Sequence, residues 1–191
     1  MLGTDFAHAP EWHDVIYSGA GIERLAKWLR EHRMDFVRMY HGTSVRNDVM
    51  GKGLLPTTTS RRNSYQSASG YVYLSIYPGM AYQFGRMASL NASDDVNGNR
   101  VSVYAVDLTV RRLSADLDQL ANKRAGGLLV GNSLAESIVY GSGARVKGRI
   151  DPMTICRLGD YPVSGEPDFS YLKQSVDLDR NAGRSTAGLS M

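Results

Sequence analysis

The stretch FVRMYHGTS, residues 36 to 44, decides how this chain is interpreted. Its first five residues are rich in strand-forming side chains, and the run stops at His41, which is followed by a glycine and two small hydroxyl residues. β-Branched and aromatic side chains favour a strand, and glycine lets a backbone or a ligand approach closely. The pattern therefore predicts a buried strand that ends at His41 and presents its imidazole to a site.

Regular elements are predicted on both sides of this strand. Apolar residues recur at helical spacing in residues 21–32, which indicates an amphipathic helix laid against the core. After the strand, Ser44 is a candidate N-cap for a short helix that stops at the Gly-Lys-Gly-Leu-Leu-Pro sequence ending at Pro56. Residues 57–70 are mostly small and polar, so we expect a long loop, and a loop of this length in a compact domain is usually either a functional lid or disordered.

The second half of the chain predicts more strands than helices. Local patterns indicate a helix over 77–89, a short helix begun near Ser114, and strands over 71–75, 101–108, 137–141, 144–150 and 154–158. The strand over 101–108 alternates strongly and is expected to be central. This order predicts a mixed α+β domain with a curved or split sheet. We divide it into an N-terminal segment and helix (1–34), a core (35–159) and a polar, partly disordered tail (160–191), in which Phe169 is expected to dock on the body.

Composition sets further bounds. The 191 residues are 42% hydrophobic and 21% charged, with a formal net charge of +3 and a single cysteine, Cys156. No run of 18 apolar residues and no secretory signal is visible, so we expect no membrane span and a cytoplasmic location. A lone cysteine fits a reducing compartment. The sequence has no P-loop, no dinucleotide-binding glycine pattern, no hydrolase elbow and no metal-ligand spacing, so we expect no metal.

Three separated motifs occur in an informative order. His41-Gly42-Thr43 is followed by Tyr71-Val72-Tyr73-Leu74-Ser75 and then by Glu136-Ser137-Ile138-Val139-Tyr140. This order resembles the ADP-ribosyltransferases of the His-Tyr-Glu group, the diphtheria-toxin and poly(ADP-ribose)-polymerase type, over roughly residues 36 to 158. The resemblance implies a split, curved β-sheet with short peripheral helices. It also implies NAD as co-substrate and transfer of ADP-ribose with release of nicotinamide.

The resemblance assigns roles to the motif residues. Glu136, at the start of an expected strand, would stabilise positive charge developing on the ribose and help to activate the acceptor. His41 would bond the adenosine ribose, and the backbone of Gly42, beside Thr43, would bind the nicotinamide amide. Tyr73 would stack on the nicotinamide ring.

Further contacts with NAD follow from neighbouring positions. A second stacking aromatic is expected at Phe84, with Tyr82 as the alternative. Ala81 departs from the serine that polymerase-type members often carry, which puts one carboxamide contact in doubt. Arg61 and Arg62, in the loop over the donor site, are candidate partners of the NAD pyrophosphate, from their charge alone.

Three functions remain open at this point. The first is a mono-ADP-ribosyltransferase of toxin, effector or phage size, acting on a protein or, alternatively, on a nucleic acid; Leu134 disfavours an arginine acceptor. The second is an enzyme like the RNA 2′-phosphotransferases, which share the fold but use arginines instead of a catalytic glutamate. The third is an inactive domain of this fold that binds a nucleotide or a protein. Glu136 favours the first.

Overall fold

A six-stranded antiparallel sheet, which does not close into a barrel, organises the described part of the chain. The computed structural model describes residues 21–57, 67–91 and 100–169. Its helices are α1 (Gly21–Glu31), α2 (Val49–Lys52), α3 (Pro78–Asn91), α4 (Leu117–Ala125) and α5 (Leu134–Gly141). Its strands are β1 (Phe36–Ser44), β2 (Tyr71–Ser75), β3 (Arg100–Thr109), β4 (Leu113–Ser114), β5 (Gly143–Lys147) and β6 (Ile155–Pro162). The expected mixed α+β class is confirmed.

The strand order is β4-β5-β2-β1-β3-β6. β1 pairs with β3 along its whole length, from Phe36 opposite Thr109 to Ser44 opposite Val101. β3 is thus an interior strand, with β6 on its other side. The main apolar core lies where α1 and α5 cover the sheet, and it includes the fully buried Leu25.

The sheet divides between β1 and β2. The two strands share one register pair, Tyr40 opposite Ser75, and no further pair joins them in the described residues. Helix α3 packs against β1 just beyond this point. A Cβ on Gly42 would lie 2.0 Å from the carbonyl oxygen of Ala81, and one on Gly85 would lie 2.7 Å from the carbonyl carbon of Gly42. The two glycines let the backbones of helix and strand touch.

Most of the predicted elements are confirmed. The structure contains the helix near 21–32, the strands near 71–75, 101–108, 144–150 and 154–158, and the helix near 77–89. Phe169 docks edge-on against Tyr161, with ring centroids 5.1 Å apart, as expected. The boundaries of the three proposed segments stay a prediction, because residues 1–20 and 170–191 lie outside the described part.

Four local predictions are wrong. β1 does not end at His41 but continues to Ser44, because β3 pairs with it that far. Ser44 therefore lies in a strand, and the N-cap of α2 is Asp48, whose carboxylate accepts a hydrogen bond from Gly51 N. Helix α4 begins after Asp116, since Ser114 belongs to β4. The expected strand over 137–141 is helix α5.

Helix α5 forms because its N-terminal signals outweigh its β-branched residues. The Ser133 hydroxyl accepts a hydrogen bond from Glu136 N, and the Glu136 carboxylate accepts one from Ser133 N, which is a complete capping box. Ala135 and Ile138 lie three positions apart and are both buried. Helical spacing of the buried face thus overrides the strand preference of Ile138-Val139-Tyr140.

Candidate functional site

A cleft of about 740 Å³ opens where β1 and β2 diverge. β1, β2, α3 and the start of α4 all contribute side chains to its wall. The residues of its lining that carry chemistry include His41, Gly42, Thr43, Asp48, Tyr73, Asp116, Asp118 and Gln119. The cleft thus brings together the histidine and tyrosine motifs that the sequence singled out, with three aspartates that it did not.

His41 spans the gap between the diverging strands. Its Nδ1 donates to the backbone carbonyl of Tyr73 at 2.9 Å, and since a carbonyl can only accept, this bond fixes the proton on Nδ1. Burial lowers the pKa of His41, while the Tyr73 carbonyl opposes that change. The neutral ring therefore keeps a lone pair on Nε2, which can accept a hydrogen bond from a hydroxyl group.

The peptide groups of Gly42 face the same gap. Ile76 N donates to Ser142 O on the β5 side, so the preceding residue, Ser75, directs its N–H and C=O towards β1. Ser75 lies opposite Tyr40, and peptide direction alternates along a strand, so Tyr40 and Gly42 both point towards β2. Because the β1–β2 pairing has ended at Tyr40, Gly42 offers one donor and one acceptor to a ligand.

Asp118 lies at the floor of the cleft, beside Tyr73. The Tyr73 hydroxyl donates a short hydrogen bond to Asp118 Oδ2, and Ala68 N donates to the same oxygen at 3.0 Å. Burial raises the pKa of Tyr73, and the neighbouring carboxylate raises it further, so the phenol stays protonated. The described partners of Asp118 all meet at Oδ2, which leaves Oδ1 for a ligand.

Arg145 supports this carboxylate from beneath. It lies directly opposite Tyr73 in the β2–β5 pairing, and its Nη1 is 3.8 Å from Asp118 Oδ2. Its guanidinium carbon lies 4.1 Å from the centre of the Tyr71 ring. Arg145 is buried, and its Nε has no hydrogen-bond partner among the described atoms. Arg145 thus pairs with Asp118 without entering the cleft, since it is not part of the lining.

Asp116 is the second carboxylate of the cleft and has a different environment. It is buried, and it caps α4 by accepting a hydrogen bond from Gln119 N at 3.1 Å. Burial raises the pKa of Asp116, and the charge of Asp118 also raises it, against the lowering effect of the Gln119 bond. The sequence signal for these two residues was the Asp-Leu-Asp sequence at a helix start, which is also an ordinary capping pattern.

The aromatic predictions have different outcomes. Phe84 lines the cleft, with Met87 and Ala88 of the same helix. Tyr82 does not: it is buried on the other side of α3, and its hydroxyl donates to the carbonyl of Pro162 at 2.6 Å. Tyr82 therefore anchors the end of β6, and Phe84 is the aromatic that a ligand in the cleft would meet.

Glu136 lies outside the cleft. Its carboxylate accepts hydrogen bonds from the Ser133 hydroxyl at 2.6 Å and from Gly131 N at 2.7 Å. These bonds, the Ser133 hydroxyl first, lower the pKa of Glu136. Arg124 holds the same loop through the Gly131 carbonyl at 2.9 Å. The structure thus uses Glu136 to cap α5, and its catalytic role stays a prediction from the resemblance alone.

Thr43 is the remaining predicted contact within the described residues. It lines the cleft, and its hydroxyl accepts a hydrogen bond from Asn47 Nδ2 at 2.6 Å. Arg46 and Lys52 add positive charge to the same wall. Arg61 and Arg62 lie outside the described residues, so their predicted pyrophosphate contact stays a prediction.

Two wider observations complete the description. In the part of the chain that the structure describes, no helix is long and apolar enough to cross a membrane, and no three His, Cys, Asp or Glu side chains group as metal ligands. Neither the known protein-family models nor the curated proteins include a match to this chain.

Proposed function

We propose that this protein is an NAD-dependent ADP-ribosyltransferase whose reaction takes place in the cleft between β1 and β2. One observation carries the proposal: Tyr73 bonds to two residues of the cleft, its backbone carbonyl accepting from His41 Nδ1 and its hydroxyl donating to Asp118 Oδ2. The histidine and tyrosine match the family motifs in their order along the chain. Asp118 supplies the carboxylate that the chemistry requires, in place of Glu136.

The reaction needs a negative charge beside the ribose. The bond from the ribose C1′ to the nicotinamide nitrogen breaks, nicotinamide leaves with the electron pair, and positive charge develops on the sugar as in glycoside hydrolysis. A nucleophile of the acceptor then bonds to C1′ and gives up its proton. Asp118 Oδ1 is the oxygen that would stabilise this charge, and Tyr73 and Arg145 hold the carboxylate in place.

The nicotinamide group fits the chemistry at Gly42. A carboxamide carries one acceptor oxygen and two donor hydrogens, and the free N–H and C=O of Gly42 complement it. Phe84 and Tyr73, on opposite elements of the cleft, offer aromatic surface to the ring. Ala81, where a serine was expected, also lines the cleft and gives no hydroxyl, so the carboxamide would depend on the Gly42 backbone.

The lining of the cleft carries charges of both signs: Arg46 and Lys52 are cationic, and Asp48, Asp116 and Asp118 are anionic. In the proposed arrangement Asp118, beside Tyr73, would meet the cationic nicotinamide riboside, and Arg46 and Lys52 would meet the anionic pyrophosphate. His41 Nε2 accepts a hydrogen bond from a ribose hydroxyl in this arrangement. The volume of about 740 Å³ is within the range of ligand and cofactor sites.

The direct test measures nicotinamide released from NAD by the purified protein, with and without a cell lysate as a source of acceptor. We expect release by the wild type and its loss in His41→Ala and Asp118→Asn, with Glu136→Gln as the matched carboxylate control outside the cleft. Label from adenine-labelled NAD on a macromolecule would identify transfer. Absence of nicotinamide release in every condition, from a protein that binds NAD, would instead support the inactive binding domain.

The RNA 2′-phosphotransferase function remains the second candidate. Glu136 was the argument against it, and Glu136 lies outside the cleft. Those enzymes rely on several arginines beside the histidine, whereas Arg46 is the one arginine in the described lining. Release of nicotinamide only when an RNA with an internal 2′-phosphate is added, together with loss of that phosphate, would establish this alternative over ADP-ribosyl transfer to another acceptor.

A further inference from the structure

Five exposed cationic residues lie on chain segments that contact one another in succession, starting at the cleft. We call this set of residues the basic track; it consists of Lys52, Arg149, Arg112, Arg111 and Arg33. The residues come from four separate parts of the chain, so the track is a product of the fold. Lys52, at its first end, belongs to the cleft wall.

Contacts between the segments establish the continuity of the first half of the track. Residues 53 and 54 follow Lys52, and Leu54 forms a β-bridge with Ile150. A Cβ on Gly53 would lie 3.2 Å from Arg149 Nε, so the Arg149 side chain passes directly beside the residue after Lys52. The positive charge of the cleft wall therefore continues onto Arg149.

Two hydrogen bonds establish the continuity of the second half. Arg112 Nη2 donates to the backbone carbonyl of Arg149 at 3.1 Å. The neighbouring Arg111 donates from its backbone N to the carbonyl of Arg33 at 2.8 Å. The track thus runs from the cleft to the turn that joins α1 to β1.

The charge of the track is not compensated locally. Within residues 21–57, 67–91 and 100–169, none of its five cations forms an ion pair, whereas Arg38 is paired with Asp107 at 2.9 Å. Four acidic residues adjoin the track along the chain: Glu31, Asp35, Asp48 and Asp151. Glu31 is paired with Lys27 at 3.9 Å, Asp48 accepts a hydrogen bond from Gly51 N, and Asp151 accepts one from Met153 N. A surplus of positive charge remains on the surface.

Exposed apolar side chains lie beside the far end of the track. Phe36 is 45% exposed and Met34 is 61% exposed, and both are within three residues of Arg33. A row of cations with exposed aromatic surface is the combination that binds single-stranded nucleic acid, because phosphates meet the cations and bases stack on the rings. An acidic protein or a lipid headgroup would use the cations but has no need of a stacking surface.

We propose that the basic track binds single-stranded nucleic acid and leads it to the cleft, so that the acceptor of ADP-ribose is a nucleic acid. The second part of this inference rests on the proposed function. A nucleophilic oxygen or nitrogen of the strand bonds to C1′, nicotinamide leaves with the electron pair, and the proton of the nucleophile passes to water. The first part, binding, does not depend on catalysis.

Binding is measured by the fluorescence anisotropy of a fluorescein-labelled 20-nucleotide RNA, and of the matching DNA, without NAD. Five phosphate contacts predict a slope of log K against log salt of about −3.5 for a single strand. Arg111→Gln with Arg149→Gln should weaken binding about tenfold and make the slope shallower by about 1.4. Arg24→Gln with Lys123→Gln removes the same charge elsewhere and should change affinity less than twofold; thermal melting checks that both pairs fold.

Three results would overturn the proposal. Equal effects of the two charge-matched pairs would show that net charge alone attracts the strand. Preference for a polyglutamate peptide or for phosphatidylserine vesicles over the RNA would assign the track to another partner. Nicotinamide release together with label on protein but not on the bound oligonucleotide would show that the acceptor is not a nucleic acid. If no nicotinamide is released at all, the proposed function fails, and the anisotropy result still decides whether the track binds.

Discussion

The most decisive experiment compares two carboxylate-to-amide substitutions, Asp118→Asn and Glu136→Gln. Both remove one negative charge and keep the size of the side chain. Asp118 lies in the cleft with Tyr73 and is paired with Arg145 behind the lining, whereas Glu136 lies outside the cleft and caps α5. The two substitutions therefore test whether the catalytic carboxylate is Asp118, as the geometry of the cleft suggests, or Glu136, as the sequence motif suggests.

The expected effect of Asp118→Asn follows from its surroundings. Loss of one preorganised group that stabilises transition-state charge costs about 100- to 1000-fold in kcat. The same change breaks the ion pair of Asp118 with Arg145, which is 8% exposed, and breaking a buried ion pair costs about 3 kcal/mol of stability. The assay therefore has to run well below the melting temperature of the variant, with the folded fraction measured on the same sample.

Glu136→Gln should leave activity within about twofold of the wild type, because glutamine can also complete a capping box and the residue does not touch the cleft. Nicotinamide release is followed by chromatography at saturating NAD. The reasoning would be refuted if folded Asp118→Asn kept more than a third of the wild-type kcat. A loss of about 100-fold in folded Glu136→Gln would likewise return the catalytic role to Glu136.

Three further predictions concern stability and pH. Glu136→Ala should lower the free energy of unfolding by about 1 kcal/mol at pH 7, as measured by denaturant titration. Because the folded-state pKa of Glu136 is lowered, this difference in stability is present above the unfolded pKa of about 4.3. It should vanish as the pH falls through the folded-state pKa. Gly42→Ala should cost about 3 kcal/mol, since its Cβ would lie 2.0 Å from a helix carbonyl, whereas Gly79→Ala, with nothing within 4 Å, should be neutral or stabilising in the same melts. Burial lowers the pKa of His41, so the affinity for NAD, measured by calorimetry, should stay constant from pH 8 to about 6.5 and fall at lower pH as the ring is protonated. His41→Ala should show no such fall. A rise in affinity on acidification would contradict the proposal that neutral His41 accepts a hydrogen bond from NAD.

Local sequence patterns correctly predicted the helices and strands whose own residues show a clear helical or strand periodicity. The spacing of apolar residues in 21–32 and the alternation in 101–108 predicted α1 and β3, since a helix and a half-buried strand repeat with different periods. Local patterns failed at residues 137–141. There β-branched residues indicated a strand, and the capping box at Ser133 and Glu136 together with burial of one face produced a helix.

The candidate site shows the same division. His41, Gly42, Thr43, Tyr73 and Phe84 were predicted from motifs and their order, and all of them line one cleft. The close backbone approach expected at Gly42 is present, because its missing side chain makes room for the backbone of α3. The sequence could not decide whether Tyr82 or Phe84 lines the cleft. The two residues are two positions apart on a helix and therefore face different sides, and only the packing shows which side faces the cleft.

What the sequence by itself determined is the order of the motifs and the mixed α+β class, because these depend on residue type and on short-range periodicity. What only the tertiary structure decided is which carboxylate bonds to Tyr73 in the cleft. Asp118 is 45 positions from Tyr73 along the chain, and the two meet because α4 follows β4, which pairs with β5 next to β2. The basic track was decided in the same way, since its cations come from segments that are joined only by the folded backbone.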